Sequence, residues 1–441
     1  MSVVTTILYF LITIIILVFV HEFGHFLAAK LCRMRVDKFY LFFDFFNLRF
    51  FKFVKGDTEY GIGVFPLGGY VKVAGMIDES MDKDFIDKPP QTWEFRSKPV
   101  WQRMFVITAG VIMNTLLAFL IFYTINLVQG RTRIETTIVG YVSQNSIAQK
   151  YGIIPGDKIV SINAEPIEYW DEVRGNIFIE RMGEDVNLKI ERNGSFKEIF
   201  ISKNDLRDIG ERTFGIFPPD MEPEIQQVLV DKPAGKVGLQ SGDVIIEANG
   251  EKINHSQQFV DIIKANPDKD ISFKWMRNGA EMSGVVKPDS DSTIGIGVGK
   301  YIGVVKNINY NVITAIPQGF DDLWHYGVVL FMKSMWKIIK GDIAFSKAVG
   351  GPVKIAQYAG QSAEGGFLSF LGFMAMLSIT LAIINILPFP ALDGGHFIFL
   401  LYEGIFRKPV SHKVQIVVQN LGFIILMLFM AFVVYNDIIH I

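Results

Sequence analysis

The sequence predicts a multi-span α-helical membrane protein with four transmembrane helices, a membrane-associated β-hairpin and two small β-rich domains inserted midway. Three observations predict this class. Half of the 441 residues are hydrophobic, too many for a single soluble domain of this length. Four apolar stretches reach the roughly 20 helical residues needed to cross a bilayer. Between the second and third stretch lies a long polar region that repeats itself. Formal net charge is -2, with no block of like charges, which gives nucleic acid no surface to bind. The one cysteine, Cys32, excludes a disulfide framework and any cysteine-rich metal site, so a metal would be held by histidines and carboxylates.

The first apolar stretch runs from about Val3 to Leu31. No Lys or Arg precedes it in Met1 to Thr6 and no small-residue cleavage pattern follows, so a retained helix is expected rather than a signal peptide. The other spans are expected at about Met104 to Leu127, Phe367 to Leu387 and Val414 to Val434. Lys30, Arg33, Arg35 and Lys38 leave the first span, Arg96, Lys98 and Arg103 enter the second, and Arg407, Lys408 and Lys413 join the third to the fourth. Cationic short loops stay in the cytoplasm, so both termini and the inserted region are expected outside.

Residues 1–130 thus hold the first two spans. Within them, Tyr40 to Val54 is rich in aromatics and runs into Gly61-Ile-Gly63-Val-Phe-Pro66-Leu-Gly68-Gly69-Tyr70-Val-Lys72-Val. Short β-type runs broken by glycines beside a membrane helix predict a hairpin over Gly61 to Val73 that dips into the interface. Residues 131–217 and 218–305 form the inserted pair. Gly152-Ile-Ile-Pro-Gly156-Asp157-Lys-Ile159-Val-Ser-Ile-Asn163 aligns with Gly238-Leu-Gln-Ser-Gly242-Asp243-Val-Ile245-Ile-Glu-Ala-Asn249, one small unit used twice. The blocks resemble PDZ domains, which capture a strand or a free carboxyl end at a sheet edge. The plainer reading makes them spacers. Residues 306–365 follow, with Trp324, Phe331 and Trp336 among Lys333, Lys337 and Lys340, a pattern for a helix lying on the outer surface. Residues 366–441 close the chain with the last two spans.

The chemistry concentrates in His21-Glu22-Phe23-Gly24-His25. A helix places residues four apart on one face, so both imidazoles can grip one ion. This spacing is the known signature of zinc metalloproteases, with the glutamate as general base. Ionisable side chains within an apolar span are costly, so a set of three points to function rather than to an interhelical contact. A catalytic zinc takes three protein ligands and keeps one position open. The expected third is Asp393, in Asn385-Ile-Leu-Pro388-Phe-Pro390-Ala-Leu392-Asp393-Gly394-Gly395, where two prolines break the third span and two glycines permit a tight turn. His21, His25 and Asp393 would hold one Zn2+ per chain, and Glu22 would take the proton of the attacking water. A substrate helix hides its peptide bonds, so a strand edge around Gly68, Gly69 and Tyr70 would hold it extended, and the Asn385 amide would bind its freed peptide groups. His396, beside the glycines, is expected to pack rather than to ligate.

Taken together, HEFGH, PLGGYVK at 66–72, FRSKPVWQR at 95–103, the tandem PDZ-like blocks, GGPVKIA at 350–356 and NILPFPALDGG at 385–395 resemble the site-2 protease family, in its bacterial sigma-E-regulating branch. The resemblance implies an intramembrane zinc protease with ligands at His21, His25 and Asp393 and a catalytic Glu22. It also implies substrate handling by Asn385, Pro388 and Pro390. Substrates would be single-span membrane proteins, anti-sigma-factor-like and already trimmed outside, or remnant signal peptides, with the PDZ pair docking their ends or gating access. One departure stands out: the family reads Gly-Pro before an Asn in its second span, where this chain has Gly110-Val111 before Asn114. The rival reading is an inactive membrane-anchored PDZ scaffold with a structural metal site, against which the intact Glu22 speaks. A transporter would show inverted membrane repeats, whereas these repeats are soluble.

Overall fold

The computed structural model describes residues 3–44, 48–76, 89–180, 184–206, 214–229, 232–289, 292–340 and 350–439. Part of the aromatic run expected at Tyr40 to Val54 and part of the 306–365 segment lie outside them. The chain divides into two units: Met1–Gly130 with Asn309–Ile441, and Arg131–Ile308.

The first unit is helical. Its main helices are α1 (Val3–Leu31), α2 (Val100–Gln129), α3 (Ala315–Asp322), α4 (Leu330–Lys340), α5 (Pro352–Glu364), α6 (Phe367–Ile386), α7 (Asp393–Phe406) and α8 (His412–Ile439). Among the described residues, α1, α2, α6 and α8 are long and apolar enough to cross a membrane. Helix α2 runs longer than the sequence suggested, because the polar turn from Val100 to Arg103 continues the helix after Pro99. It is the hub, touching α1, α3, α6 and α7. Arg103 grips Glu403 on α7 with two hydrogen bonds, Nη1 to Oε2 at 3.0 Å and Nη2 to Oε1 at 2.5 Å, a bidentate pairing that fixes direction as well as distance.

Within the 306–365 segment, helix begins at Ala315, ahead of the Trp324 to Lys340 pattern, and a π-helical stretch over Leu323–Val329 joins α3 to α4. Helix α3 leans on α2, with the Phe119 and Phe320 rings 4.3 Å apart. Helix α5, carrying the GGPVKIA run, is clamped from outside its own sequence. Asp437 on α8, fully buried, accepts from the backbone N–H of Gly351 (2.9 Å), Val353 (3.1 Å) and Lys354 (3.1 Å). A carboxylate satisfies the orphan donors of a helix start and complements its dipole.

The Gly61 to Val73 hairpin is corrected. This stretch splits into two strands that do not pair with each other. The sheet contains β1 (Val36–Phe43), β2 (Arg49–Lys55), β3 (Thr58–Gly63) and β4 (Phe65–Val73), in the order β2-β3-β1-β4. The hairpin lies between β2 and β3, β3 runs parallel to β1, and β4 is antiparallel to β1 on its other side. Strand β1 has an irregular end, with Phe42 at φ 68°, and the chain passes at Val64 from one side of β1 to the other. The result leaves β4 as an edge strand packed on α1.

The second unit holds the repeat as two cores. One gathers Ile159, Trp170, Leu188 and Phe214, and the other Ile245, Phe259, Phe273 and Trp275. The aligned glycine-aspartate turns do the same work in both. Arg192 donates from Nε and Nη2 to the two oxygens of Asp157 (2.6 and 2.7 Å) and from Nη2 to the Gly152 carbonyl (2.7 Å). Arg277 repeats this on Asp243 and Gly238, each bond at 2.7 Å. Asp157 and Asp243 are buried, and each also accepts a turn N–H, from Ile154 and Gln240. Between the blocks, Tyr141 stacks on His255 at 4.9 Å and donates to Asp261 at 3.0 Å.

Candidate metal centre

Two crossing helices build the first half of the site. Helix α1 presents His21 and His25 one turn apart, and α2 passes across them at Gly110. A Cβ on Gly110 would collide with His25 Nε2 and come within 2.6 Å of His21 Cε1, so only glycine leaves room for both rings. The second half comes from α7, whose first turn carries Asp393. Sequence reasoning put this aspartate at the end of the third span; instead α6 stops at Ile386, the proline loop reverses, and Asp393 opens a new helix. The following glycines serve close packing rather than a turn. A side chain on Gly394 would strike the carbonyl of Leu387.

These elements bring His21, His25 and Asp393 together. His21 Nε2 and His25 Nε2 are 3.2 Å apart, and they stand 3.3 Å and 3.5 Å from Asp393 Oδ2. That oxygen is buried and has no hydrogen-bond partner. Tetrahedral zinc with bonds of about 2.0–2.1 Å spaces its ligand atoms roughly 3.3–3.4 Å apart, so the three atoms fit such an ion. Two imidazoles and one carboxylate are also a donor set that zinc accepts. Among the described residues this is the group of histidine and acidic side chains close enough to share an ion. His396 is not in it. Its Nε2 faces the Gln419 amide at 3.1 Å, and Gln419 also accepts from the Ala391 N–H at 2.7 Å, so both steady the loop before Asp393.

The imidazoles are oriented from behind. His25 Nδ1 lies 2.8 Å from the Val106 carbonyl, which can only accept, so Nδ1 carries the proton and Nε2 is left for a ligand role. His21 Nδ1 lies 3.4 Å from the Asn114 amide. Val106, Gly110 and Asn114 form one strip at four-residue intervals on α2, facing the four-residue interval of the histidines. Small and polar residues at that spacing in an apolar span were the available signal.

Around the metal site the other expected residues separate. The Asn385 amide nitrogen is 3.4 Å from His21 Nε2, at the site itself. Gly69 on β4 closely approaches Glu22: a Cβ there would sit 3.0 Å from Glu22 Cγ and 2.8 Å from the Tyr40 carbonyl. The β4 edge thus passes directly over Glu22, with Gly68 beside it at φ 143°. Tyr70 is buried instead, stacked between Tyr40 (5.5 Å) and Phe43 (5.9 Å), with its hydroxyl donating to Asp44 at 2.8 Å. Pro390 packs on Gly422 of α8, and Pro388 is exposed. An apolar cavity of about 520 Å³ opens between α2, α6 and the α3 region, lined by Val111, Thr115, Trp324, Ile383 and Ile386.

Comparison with known proteins agrees with this chemistry. The model of peptidase family M50 matches residues 9–429. The regulator of sigma-E protease RseP of Escherichia coli K12 is 32% identical over 97% of both chains. The protein of the same name from Salmonella typhimurium is 31% identical over 97% of both. A Vibrio cholerae relative with zinc metalloprotease in its name is 31% identical, again over 97% of both. Among solved structures, the PDZ domain of an SdrC-like protein from Listeria monocytogenes is 26% identical over 19% of this chain and 90% of its own, at a TM-score of 0.16. With four helices fit to span a bilayer and a match over nearly its whole length, the chain is a membrane zinc metalloprotease and belongs to peptidase family M50.

Proposed function

We propose that the chain hydrolyses peptide bonds inside the membrane-spanning segments of single-span proteins, with His21, His25 and Asp393 holding zinc and Glu22 as general base. The observation that carries this reading is the β4 edge lying over Glu22 beside three converged ligand atoms. Zinc, when bound, supplies Lewis acidity that polarises a peptide carbonyl and makes water easier to deprotonate. Glu22 accepts the proton of the attacking water and passes it to the leaving amine. The edge of β4 around Gly68 and Gly69 pairs with the substrate backbone and holds it extended, which removes the helical hydrogen bonds that protect a spanning segment. The Asn385 amide donates to the carbonyl oxygen as charge develops on it. Side chains of the substrate enter the apolar cavity lined by Val111, Ile383 and Ile386.

The flanking Lys and Arg residues support a reading in which the short loops are cytoplasmic and the termini and the inserted unit face the periplasm of an inner-membrane enzyme. Relatives named regulator of sigma-E protease support a membrane-protein substrate, and in this reading the substrates are anti-sigma-factor-like proteins already trimmed outside, or remnant signal peptides. The PDZ-like pair docks their ends or limits access. A cleavage assay on a detergent-solubilised single-span substrate tests the reading. Glu22→Gln is expected to keep its metal and to lose about 10²–10⁴-fold in turnover, the usual contribution of a general base. Undiminished turnover in that variant would exclude Glu22 as the base. An inert wild type with full zinc would instead favour the scaffold reading.

A further inference from the structure

The structure assigns Asn114 a task in the metal site: its side-chain oxygen accepts the Nδ1 proton of His21 and so holds that ring with Nε2 turned to the ion. The inference rests on the metal reading above and goes beyond it to the partner of one ligand.

The argument starts from an orphan. Asn114 is 1% exposed, its Oδ1 is buried without a partner, and its Nδ2 points at His21 Nδ1 from 3.4 Å. The two ends of an amide have nearly the same shape, and their placement follows from the hydrogen bonds they must make. His21 Nε2 faces His25 Nε2 and Asp393 Oδ2, so it is the nitrogen available to a metal. A neutral imidazole that ligates through Nε2 carries its proton on Nδ1. That proton cannot be received by an NH2 group, which only donates. Rotating the amide by half a turn puts Oδ1 opposite Nδ1–H and replaces a donor facing a donor with a hydrogen bond.

Two further observations fix the amide in place for this task. The Asn114 carbonyl accepts from Ser378 Oγ at 2.8 Å, and Ser378 is fully buried on α6, the helix that also carries Asn385. This ties the turn of α2 bearing Asn114 to the third span. The other histidine is served in the same way, since His25 Nδ1 finds the Val106 carbonyl two turns earlier on the same face of α2. One helix thus supplies acceptors to both ligands, by backbone at Val106 and by side chain at Asn114. Asn114 is therefore a positioning residue, and Val111 in the family's proline position does not remove it from the site.

Zinc affinity of the purified full-length protein, measured by competition with a chromophoric chelator, tests this without relying on cleavage. Asn114→Leu keeps the volume and removes the acceptor, and is expected to lower zinc affinity about 10–100-fold, as loss of an outer partner of a metal ligand does. It should also shift the visible absorption of the cobalt-substituted protein. Asn114→Asp offers acceptor oxygens only and is expected to match or exceed the wild-type affinity. Wild-type affinity and an unchanged cobalt spectrum in Asn114→Leu would overturn the proposal. So would a weakened Asn114→Asp, because it would mean that the amide donates to Nδ1; this arm decides even where the leucine variant does not fold. A wild type that binds no zinc would sink the metal reading itself, a result distinct from either.

Discussion

Three of the inward-turned aspartates among the described residues are treated in opposite ways. Asp157 and Asp243 in the inserted repeats are buried, and each is met by both arms of an arginine and by a turn N–H. Asp393 Oδ2 in the membrane unit is buried too, yet no hydrogen bond answers it, and two imidazole nitrogens stand 3.3 and 3.5 Å away. A buried charge without a partner is expensive. The repeats spend their aspartates on folding, whereas the membrane unit leaves one unanswered where an ion would complete it. Among these aspartates the difference teaches that a carboxylate answered by an arginine serves the fold, and one facing two imidazoles without a hydrogen bond fits a metal.

The sharpest way to break the comparison is Asp393→Ala. Zinc content and cleavage should both fall to background, while the metal-free protein should unfold no more easily than metal-free wild type, because an uncompensated charge has been removed. Calorimetry beside metal analysis separates the two effects. A large loss of metal-free stability would put Asp393 in the same class as the repeat aspartates. The converse substitution, Asp243→Ala, takes the acceptor from the Gln240 turn N–H and should cost the second repeat about 1–3 kcal/mol, the usual penalty for a buried donor left unsatisfied. Hydrogen exchange should report this in residues 218–305 with zinc content unchanged. Unaltered protection there would mean that the buried pair is dispensable.

The smallest effect concerns pH. His255 is pushed below its ordinary value by burial, with its Nε2–H donating to the Pro218 carbonyl (3.0 Å) and its Nδ1 accepting the Gln257 N–H (3.1 Å). The folded state thus prefers the neutral ring. This stability is complete above pH 6.5 and is lost as pH falls from there through the lower folded value. Loosening of the second repeat, read by hydrogen exchange between pH 7 and pH 5, should vanish in His255→Asn, which accepts and donates without titrating in that range. A wild-type pH response in that variant would assign the effect elsewhere.

Much of this was legible beforehand, for physical reasons. A bilayer demands long apolar helices, and a duplicated turn keeps its Gly and Asp, so spans and repeats show in the letters. The HExxH spacing and the aspartate after two prolines likewise announce the site. What stayed hidden depends on tertiary contact. The partner arginines of the repeat aspartates are offset by 85 residues rather than 86, so the alignment passed over Arg192 and Arg277. The order β2-β3-β1-β4 needs the chain to pass at Val64 from one side of β1 to the other, which no turn signature marks. Tyr70 is expected with Gly68 and Gly69 on a strand edge that holds the substrate, but its ring is taken up by stacking. Asp437 and Gln419 are polar residues in an apolar helix whose partners lie far away in sequence.

The central claim is that two imidazoles and one carboxylate converge on a single ion. Zinc-edge X-ray absorption on the purified full-length protein tests it most directly. The account predicts one zinc per chain, with two imidazoles and light oxygen donors in its first shell and no sulfur, and loss of the bound zinc in Asp393→Ala. Zinc bound through Cys32, or fully retained in Asp393→Ala, would contradict it.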